Sequence, residues 1–331
     1  MKQINDDINE PLLAKKQKKS LVYTLISILL PIIIIAIFAW QINKNWNSIV
    51  NFDWKFNITF AIIVLFLLLI NTALEVGIWN KTLGWFTNQI SYRLAIPTYV
   101  WSSVARYIPG KVASFLVRLG LTQQLNIPPI PMLAASTVEL AVRTASGFFM
   151  ILLSFLMVHT GDKSERFIVT TGIITIVVVL IVAHPKIMIP IMNWFLKKIK
   201  QPEIMIAPRY RSILLVFGLN VFRWIIYGSA FVMLCAAVYT IPTQYLIPMI
   251  GIAPGSWAAG FVLLSPGGIG IAEGIQNFGL EKLLKLPFEI ALIVPVLFRF
   301  STLAAEGIWS LIGIPCWRGK DSYVEQHQTT D

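Results

Sequence analysis

The chain has 331 residues, of which 56% are hydrophobic and only 13% are charged. Soluble globular domains carry about 25% charged residues, so the composition excludes a soluble protein and predicts a polytopic integral membrane protein. The formal net charge is +11, but the basic residues lie beside apolar runs, which is typical of cytoplasmic loops and argues against a nucleic-acid partner.

The chain begins with a polar, basic tail at residues 1–20 and continues into apolar segments of membrane-spanning length. About 20 apolar residues in a helix cross the roughly 30 Å hydrocarbon core of a bilayer. Six segments of this length predict six full spans: 21–42, 56–79, 132–158, 166–184, 212–240 and 287–315. Because Lys and Arg near the spans favour the cytoplasm, we expect both termini, including a C-terminal tail at 316–331, on the cytoplasmic side of the inner membrane.

Two further apolar segments, 94–118 and 246–280, are interrupted by helix-breaking residues. The first contains Pro97, Pro109 and Gly110, and the second contains Pro254, Pro266, Gly267, Gly268 and Gly270. Non-helical backbone within a membrane requires protein or water to satisfy its freed hydrogen-bonding groups. We therefore expect each segment to be a re-entrant hairpin or a pair of short helices. The predicted fold is an all-α membrane protein with eight hydrophobic segments and a single domain over residues 21–315.

The order of these segments suggests an internal repeat. A span, a broken segment and a second span follow one another in residues 56–158 and again in residues 212–315, with nearly the same spacing from the first span to the Pro-Gly pair. The predicted topology gives the two halves opposite orientations, an arrangement that recurs in transporters. The alternative is coincidence, because proline and glycine are common in membrane helices.

Ionisable side chains within the apolar segments are the first candidates for function, because each costs about 2.5–3.5 kcal/mol to insert. They are Glu75, Arg106, Arg118, Glu139, Arg143, Arg223, Glu273, Arg299 and Glu306. Glu139 and Arg143 are four residues apart and can pair on one helix face, either as part of a site or only to neutralise each other. Glu75, Arg223 and Arg299 lie nearer the predicted span ends, so we expect them to extend toward the membrane surface.

The flanks of the two Pro-Gly breaks carry opposite charges. Arg106, Lys111 and Arg118 surround the first break, and Glu273 follows the second. Backbone N–H groups freed at the start of a half-helix, together with Arg and Lys, suit a phosphate group. The alternative is that the glycines of the second break, including Gly274, only permit a tight turn and close helix contact.

Both motifs resemble elements of the flippase-like family named for the transmembrane region of lysylphosphatidylglycerol synthase. Its Arg-x-x-Pro-Gly-Lys element and downstream Arg are matched by Arg106, Pro109, Gly110, Lys111 and Arg118, and its Pro-Gly-Gly-x-Gly-x-x-Glu element by Pro266, Gly267, Gly268, Gly270 and Glu273. Glu139 and Arg143 are similar to a Glu and a following Arg that the family has between these elements. The resemblance covers roughly residues 20–315.

The resemblance implies translocation of an anionic phospholipid, or of a lipid-linked phosphate or glycolipid intermediate such as one built on a polyprenyl phosphate. The matched residues would then bind the lipid head group, and no cofactor is implied. Family members that transfer aminoacyl groups carry an additional soluble domain, so we expect no aminoacyl transfer from this chain alone.

Two other functions stay open on the sequence alone. One is a membrane-embedded transferase that acts on a lipid-linked sugar, with Glu273 or Glu139 as general base. The other is an accessory role beside a glycosyltransferase in glycolipid and cell-envelope biosynthesis. The three histidines, His159, His184 and His327, lack metal-ligand spacing, and the sequence has no familiar catalytic motif. We therefore expect neither a metal site nor an enzyme.

Overall fold

The computed structural model describes residues 39–107, 113–157, 184–198, 208–262 and 268–321, together with residues 36, 170, 173, 174, 177, 181, 203, 204, 323 and 324. These residues are mainly helical and contain no β-strand. The α-helices are α1 (Trp46–Val50), α2 (Ile58–Leu83), α3 (Tyr92–Val104), α4 (Ala113–Gln123), α5 (Pro129–Met157), α6 (Pro185–Lys198), α7 (Tyr210–Val238), α8 (Leu246–Met249), α9 (Ile252–Val262), α10 (Ile271–Phe278) and α11 (Phe288–Trp317). Short 3₁₀ turns occupy Ala105–Tyr107 and Thr243–Tyr245, and a π-helical turn occupies Gly279–Leu283.

Within the described residues, five helical segments are long and apolar enough to cross a membrane. Four of them, α2, α5, α7 and α11, coincide with the predicted spans at 56–79, 132–158, 212–240 and 287–315. These helices have 26 to 30 residues, so each is about 39–45 Å long at 1.5 Å per residue. The other two predicted spans, 21–42 and 166–184, lie mainly outside the described residues. The chain is therefore a multi-pass integral membrane protein.

The boundaries of the long helices follow from local chemistry. α2 begins after Asn57, whose Oδ1 accepts hydrogen bonds from the backbone N–H groups of Thr59 at 3.0 Å and Phe60 at 3.4 Å. These two groups have no partner inside the helix, so the Asn57 side chain caps the helix start. α5 begins at Pro129 and α11 directly follows Pro287, positions where the missing N–H of proline breaks no helical hydrogen bond.

The described parts of both predicted broken segments consist of short helices. The first contains α3, a 3₁₀ turn and α4, and the second contains α8, α9 and α10. The fifth helical segment of spanning length, Thr243–Val262, lies in the second of these segments. It stays helical because Pro248 and Pro254 lie in the first turns of α8 and α9, where proline is tolerated. The Pro-Gly pairs at 109–110 and 266–267 lie outside the described residues.

The same type of turn ends both broken segments. Asn126 follows α4 with a φ of 59°, and Lys285 follows the π-helical turn after α10 with a φ of 54°. Within the described part of the chain, these are the non-glycine residues with positive φ, a conformation that is uncommon without glycine. Each lies two residues before a proline, Pro128 or Pro287, that leads into a long helix.

The helices of the two halves pack in matching pairs. α2 runs antiparallel to α7, because the N–H groups of Lys55 and Asn57, just before α2, donate to the carbonyls of Val238 and Ala237 at the end of α7, at 3.1 and 2.8 Å. α3 of the first half packs on α11 of the second, and α9 of the second half packs on α5 of the first. In each case a short helix of one half packs on the last span of the other half.

The hydrophobic core is divided into two clusters along α2 and α7. Val64 of α2 and Phe231 of α7 belong to one cluster, and Trp79 of α2 and Val216 of α7 belong to the other. The residues of both helices between the clusters include buried charged side chains. A polar layer therefore lies midway along the two central helices.

Candidate functional site

Glu75 of α2 lies at the centre of the polar layer. Its Oε1 accepts hydrogen bonds from Arg143 Nη2 of α5 at 2.7 Å and from Arg223 Nη1 of α7 at 2.8 Å. Asn71 Nδ2 donates to the same oxygen at 3.3 Å, and Tyr99 OH donates to Oε2 at 3.4 Å. Buried charges are tolerated when they are paired and hydrogen-bonded. One carboxylate thus connects four helices, and its loss would leave Arg143 and Arg223 without their shared counter-ion.

Aromatic side chains enclose the two guanidinium groups of this cluster. Tyr99 OH accepts a hydrogen bond from Arg143 Nη1 at 2.7 Å. The guanidinium carbon of Arg143 lies 4.0 Å from the ring centre of Trp257, and that of Arg223 lies 3.7 Å from the ring centre of Trp224. A guanidinium on an aromatic face gains cation–π attraction, which offsets part of the cost of removing these charges from water.

Glu139 and Arg143 lie on the same face of α5, as their spacing predicts. Glu139 Oε1 is 3.9 Å from Arg143 Nη1, however, whereas Glu75 Oε1 is only 2.7 Å from Arg143 Nη2. Both members of the predicted pair are buried. Arg143 therefore belongs primarily to the Glu75 cluster, and Glu139 is a second, more distant carboxylate beside it.

Arg118 of α4 is buried against α3 and α5. Its Nε donates to Ser102 Oγ at 2.9 Å, and its Nη1 donates to Ser136 Oγ at 3.3 Å. Its guanidinium carbon lies 4.5 Å from the ring centre of Tyr99 and 5.1 Å from that of Trp79. In the described chain no carboxylate oxygen lies within 4.0 Å of its side-chain nitrogens. Hydroxyl groups and aromatic rings hold this cation in place of a counter-ion.

Two charged residues of α11 contact the flanks of the two breaks. Glu306 forms an ion pair with Arg106, which lies in the 3₁₀ turn before the first break. Arg299, two turns earlier on α11, donates through Nε to Glu273 Oε1 at 2.5 Å. Glu273 Oε2 in turn accepts the backbone N–H of Gly270 at 2.5 Å. α11 therefore connects the residue before the first break to the carboxylate after the second.

The glycines of the second break have a structural role of their own. Gly268 and Gly270 adopt φ values of 69° and 82°, which glycine reaches without a steric penalty. Gly268 also lies against α9, because a Cβ added at Gly260 would be 3.2 Å from the Gly268 Cα. Gly274 has nothing within 4 Å of an added Cβ, so close contact does not account for it. The turn at Gly270 sets the position of Glu273.

A cavity of about 470 Å³, part of it open to the exterior, lies between these groups. Its charged lining residues are Glu75, Arg106, Arg143, Arg299 and Glu306, and its aromatic lining residues are Tyr107, Trp224, Tyr227 and Trp257. In the described lining, three guanidinium groups face two carboxylates. This formal excess of positive charge suits an anionic group.

The structure brings most of the predicted site residues that it describes into one region. Arg106 and Arg143 line the cavity, Glu273 contacts the cavity residue Arg299, and Arg118 and Glu139 are buried nearby. Gly268 and Gly270 belong to the turn before Glu273. The other predicted residues lie outside the described residues: Pro109, Gly110, Lys111, Pro266 and Gly267. Within the part of the chain that the structure describes, no group of three or more His, Cys, Asp or Glu side chains is placed to hold a metal ion.

The expectation that Glu75, Arg223 and Arg299 extend toward the membrane surface is wrong. The side chains of Glu75 and Arg223 are 9% and 0% exposed and form an ion pair, and Arg299 lines the cavity. α2 continues to Leu83, beyond the predicted span end, and its antiparallel packing brings its middle against that of α7. Tyr99 was not identified as a site residue from the sequence. The signal that could have identified it is a tyrosine inside an apolar segment interrupted by proline.

Comparison with known protein families agrees with the interpretation of the motifs. The family model described as "Lysylphosphatidylglycerol synthase TM region" matches residues 25–309, a range that includes the cavity and both Pro-Gly elements. A search among curated proteins finds no match to the chain. The family match connects the chain with a membrane-lipid-related function in envelope biosynthesis. The chain belongs to the family of the lysylphosphatidylglycerol synthase transmembrane region.

Proposed function

We propose that the chain flips an anionic phospholipid, or a lipid-linked phosphate or glycolipid intermediate, between the two leaflets of the membrane. The observation that carries this proposal is the cavity in which Arg106, Arg143 and Arg299 come together. Arg106 precedes the first break, and Arg299 is bound to Glu273 after the second. The flanks of both breaks thus contribute to a single space.

The cavity offers the chemistry that a phosphate head group needs. Guanidinium groups bind phosphate oxygens through charge-assisted hydrogen bonds that are frequently bidentate. In the proposed cycle the head group binds these guanidinium groups, while the acyl chains stay in the bilayer.

We also propose that residues 56–158 and 212–315 form an inverted repeat with the cavity at their interface. The antiparallel packing of α2 and α7, the matching pairs α3 with α11 and α9 with α5, and the shared turns at Asn126 and Lys285 support this relation. Rocking of one half against the other would expose the cavity to each side in turn. In this arrangement both termini lie in the cytoplasm and the protein resides in the inner membrane.

Translocation is tested by reconstituting the protein into liposomes. The probes are labelled phosphatidylglycerol, labelled polyprenyl phosphate and zwitterionic phosphatidylcholine, and a membrane-impermeant quencher reports the fraction in the outer leaflet. We expect the protein to accelerate at least one anionic probe over empty vesicles and to leave phosphatidylcholine unchanged. No acceleration of any anionic probe contradicts the proposal, and a new lipid product formed from an added sugar donor favours the transferase instead.

Arg106→Gln tests the cavity itself in the same assay. The change removes one cavity guanidinium while keeping a polar side chain, so we expect the rate to fall at least tenfold, equivalent to about 1.4 kcal/mol of the activation barrier. Arg93→Gln is the matched control, because Arg93 is an exposed arginine in the first turn of α3 that does not line the cavity. An equal loss in both variants would contradict a specific role for Arg106.

The inverted repeat is tested with single cysteines in a chain whose own Cys235 and Cys316 are replaced by alanine. Gln123→Cys and Lys282→Cys are a matched pair, because each residue is exposed and lies three positions before the positive-φ residue of its half. An impermeant maleimide added to right-side-out vesicles should label one of the two and spare the other. Labelling of both from the same side would contradict the inverted repeat.

A further inference from the structure

The carboxylates around the cavity differ in how firmly they are held. Glu75 accepts hydrogen bonds from four side chains, including Arg143 and Arg223. Glu273 has a separate donor for each of its two oxygens. Glu306 pairs with Arg106 through Oε1, and its Oε2 is buried without a hydrogen-bond partner among the described residues. Glu306 is therefore the least supported of the three.

Glu306 also lies where an entering anion would compete with it. Glu306 and Arg106 both line the cavity, and Arg106 is 23% exposed at its side chain. The other charged or titratable side chains that line this space are Glu75, Tyr107, Arg143, Tyr227 and Arg299. Arg143 and Arg299 already bind Glu75 and Glu273. Arg106 is therefore the cavity guanidinium whose counter-ion an entering phosphate can displace most readily, while Arg143 and Arg299 add positive charge around it.

We propose that Glu306 is an exchangeable counter-ion of Arg106, which an anionic head group displaces and which then takes up one proton. This inference rests on the proposed translocation. An ionised carboxylate that loses its partner in a low-dielectric site is costly, and neutralisation by a proton removes that cost. The proton comes from water on the side to which the cavity is open, and it binds a Glu306 oxygen without any change to the lipid.

The exchange has a consequence for transport. When the lipid leaves Arg106, Glu306 releases its proton and the ion pair forms again. If the cavity has meanwhile opened to the other side, one proton has crossed with one lipid. For a lipid with a single negative charge the transfer is electroneutral, and a pH difference across the membrane drives it in one direction.

Proton uptake is measured by isothermal titration calorimetry of the detergent-solubilised full chain with short-chain phosphatidylglycerol. Its phosphate is a diester with one fixed charge near neutral pH, so the lipid itself does not take up the proton. Titration at pH 7 in PIPES and in Tris, whose ionisation enthalpies differ, gives the number of protons bound per lipid. We expect about one proton per lipid for the wild-type chain, because the site binds one more proton in the complex than in the free protein.

Glu306→Gln removes the titrating group and keeps the shape of the side chain. We expect this variant to bind the lipid at least as tightly as the wild type, with proton uptake near zero. Glu289→Gln is the matched control on the same helix, because Glu289 lies in the first turn of α11 and hydrogen-bonds Ser48 outside the cavity. That variant should keep the full proton uptake.

Three results would overturn the inference. If the wild-type chain binds lipid without taking up a proton, the proposed exchange is contradicted but the proposed translocation is not. This result needs only the wild-type chain, so it holds even if Glu306→Gln fails to purify. Uptake that persists in Glu306→Gln assigns the proton to another group. If phosphatidylglycerol does not bind, no anion is available to displace Glu306. If, in addition, no anionic lipid is translocated in liposomes, the proposed function is wrong as well.

Discussion

Two groups of charges lie at the same cavity, but they are built differently. The central cluster, formed by Glu75, Arg143 and Arg223, joins α2, α5 and α7 through ion pairs of 2.7 and 2.8 Å. The pair of Arg106 and Glu306 instead joins α11 to the 3₁₀ turn next to the first break. The side chain of Arg223 is 0% exposed, whereas that of Arg106 is 23% exposed.

This difference separates charges that maintain the fold from charges that can exchange partners. A fully buried ion pair is costly to break, because the remaining charge has neither water nor a partner. At the open cavity, Arg106 loses less when its partner is removed, because water or a ligand can take the place of Glu306 at this partly exposed guanidinium. We therefore assign the central cluster to the scaffold and the pair on α11 to the proposed transport cycle.

Glu75→Gln is expected to have the largest effect on stability. The change removes the carboxylate that Arg143 and Arg223 share, and breaking a buried pair costs about 3–5 kcal/mol. The midpoint of thermal unfolding in detergent should fall by roughly 6–20 °C, with a matching loss of monodisperse protein. Glu289→Gln should change the midpoint by about 1–3 °C at most, because an isolated exposed interaction contributes little. A stable Glu75→Gln variant would contradict the scaffold role.

A pair of glycines extends the comparison to packing. An added Cβ at Gly228 of α7 would lie 1.9 Å from the carbonyl oxygen of Ile250, whereas an added Cβ at Gly307, next to Glu306 on α11, meets nothing within 4 Å. Gly228→Ala should therefore cost about 1–3 kcal/mol through overpacking. Gly307→Ala should be neutral or stabilise the helix by up to about 1 kcal/mol.

The two alanine variants are compared by their thermal midpoints in the same detergent. Equal midpoints would show that the backbone before α9 can move away from α7 at little energetic cost. The central helices would then be no more tightly packed than the exposed face of α11, and the contrast between the two regions would fail.

Much of the fold was predictable because its signals are local. Apolar length located α2, α5, α7 and α11, and the Pro-Gly pairs located the two segments of shorter helices. The helical spacing of Glu139 and Arg143 placed them correctly on one face. Each of these features depends on residues that are close together along the chain.

The pairing of the charges was not predictable because it depends on contacts between distant parts of the chain. Glu75 and Arg223 are 148 positions apart, and Arg106 and Glu306 are 200 positions apart. The position of a charged residue along a predicted span indicates its depth in the membrane. The residue that pairs with it depends on which helix packs alongside and on the direction in which that helix runs. Sequence could therefore identify Glu306 as a costly charge without indicating its partner.

Glu306→Gln is expected to have a much smaller effect on stability than Glu75→Gln. A glutamine oxygen can still accept a hydrogen bond from Arg106, and water in the cavity can solvate the guanidinium, so we expect a loss of about 1 kcal/mol or less. The thermal midpoint should fall by no more than about 2–4 °C. A drop as large as that of Glu75→Gln would show that Glu306 belongs to the scaffold. Such a carboxylate could not leave Arg106 during transport, because each exchange would then cost as much as breaking the central cluster.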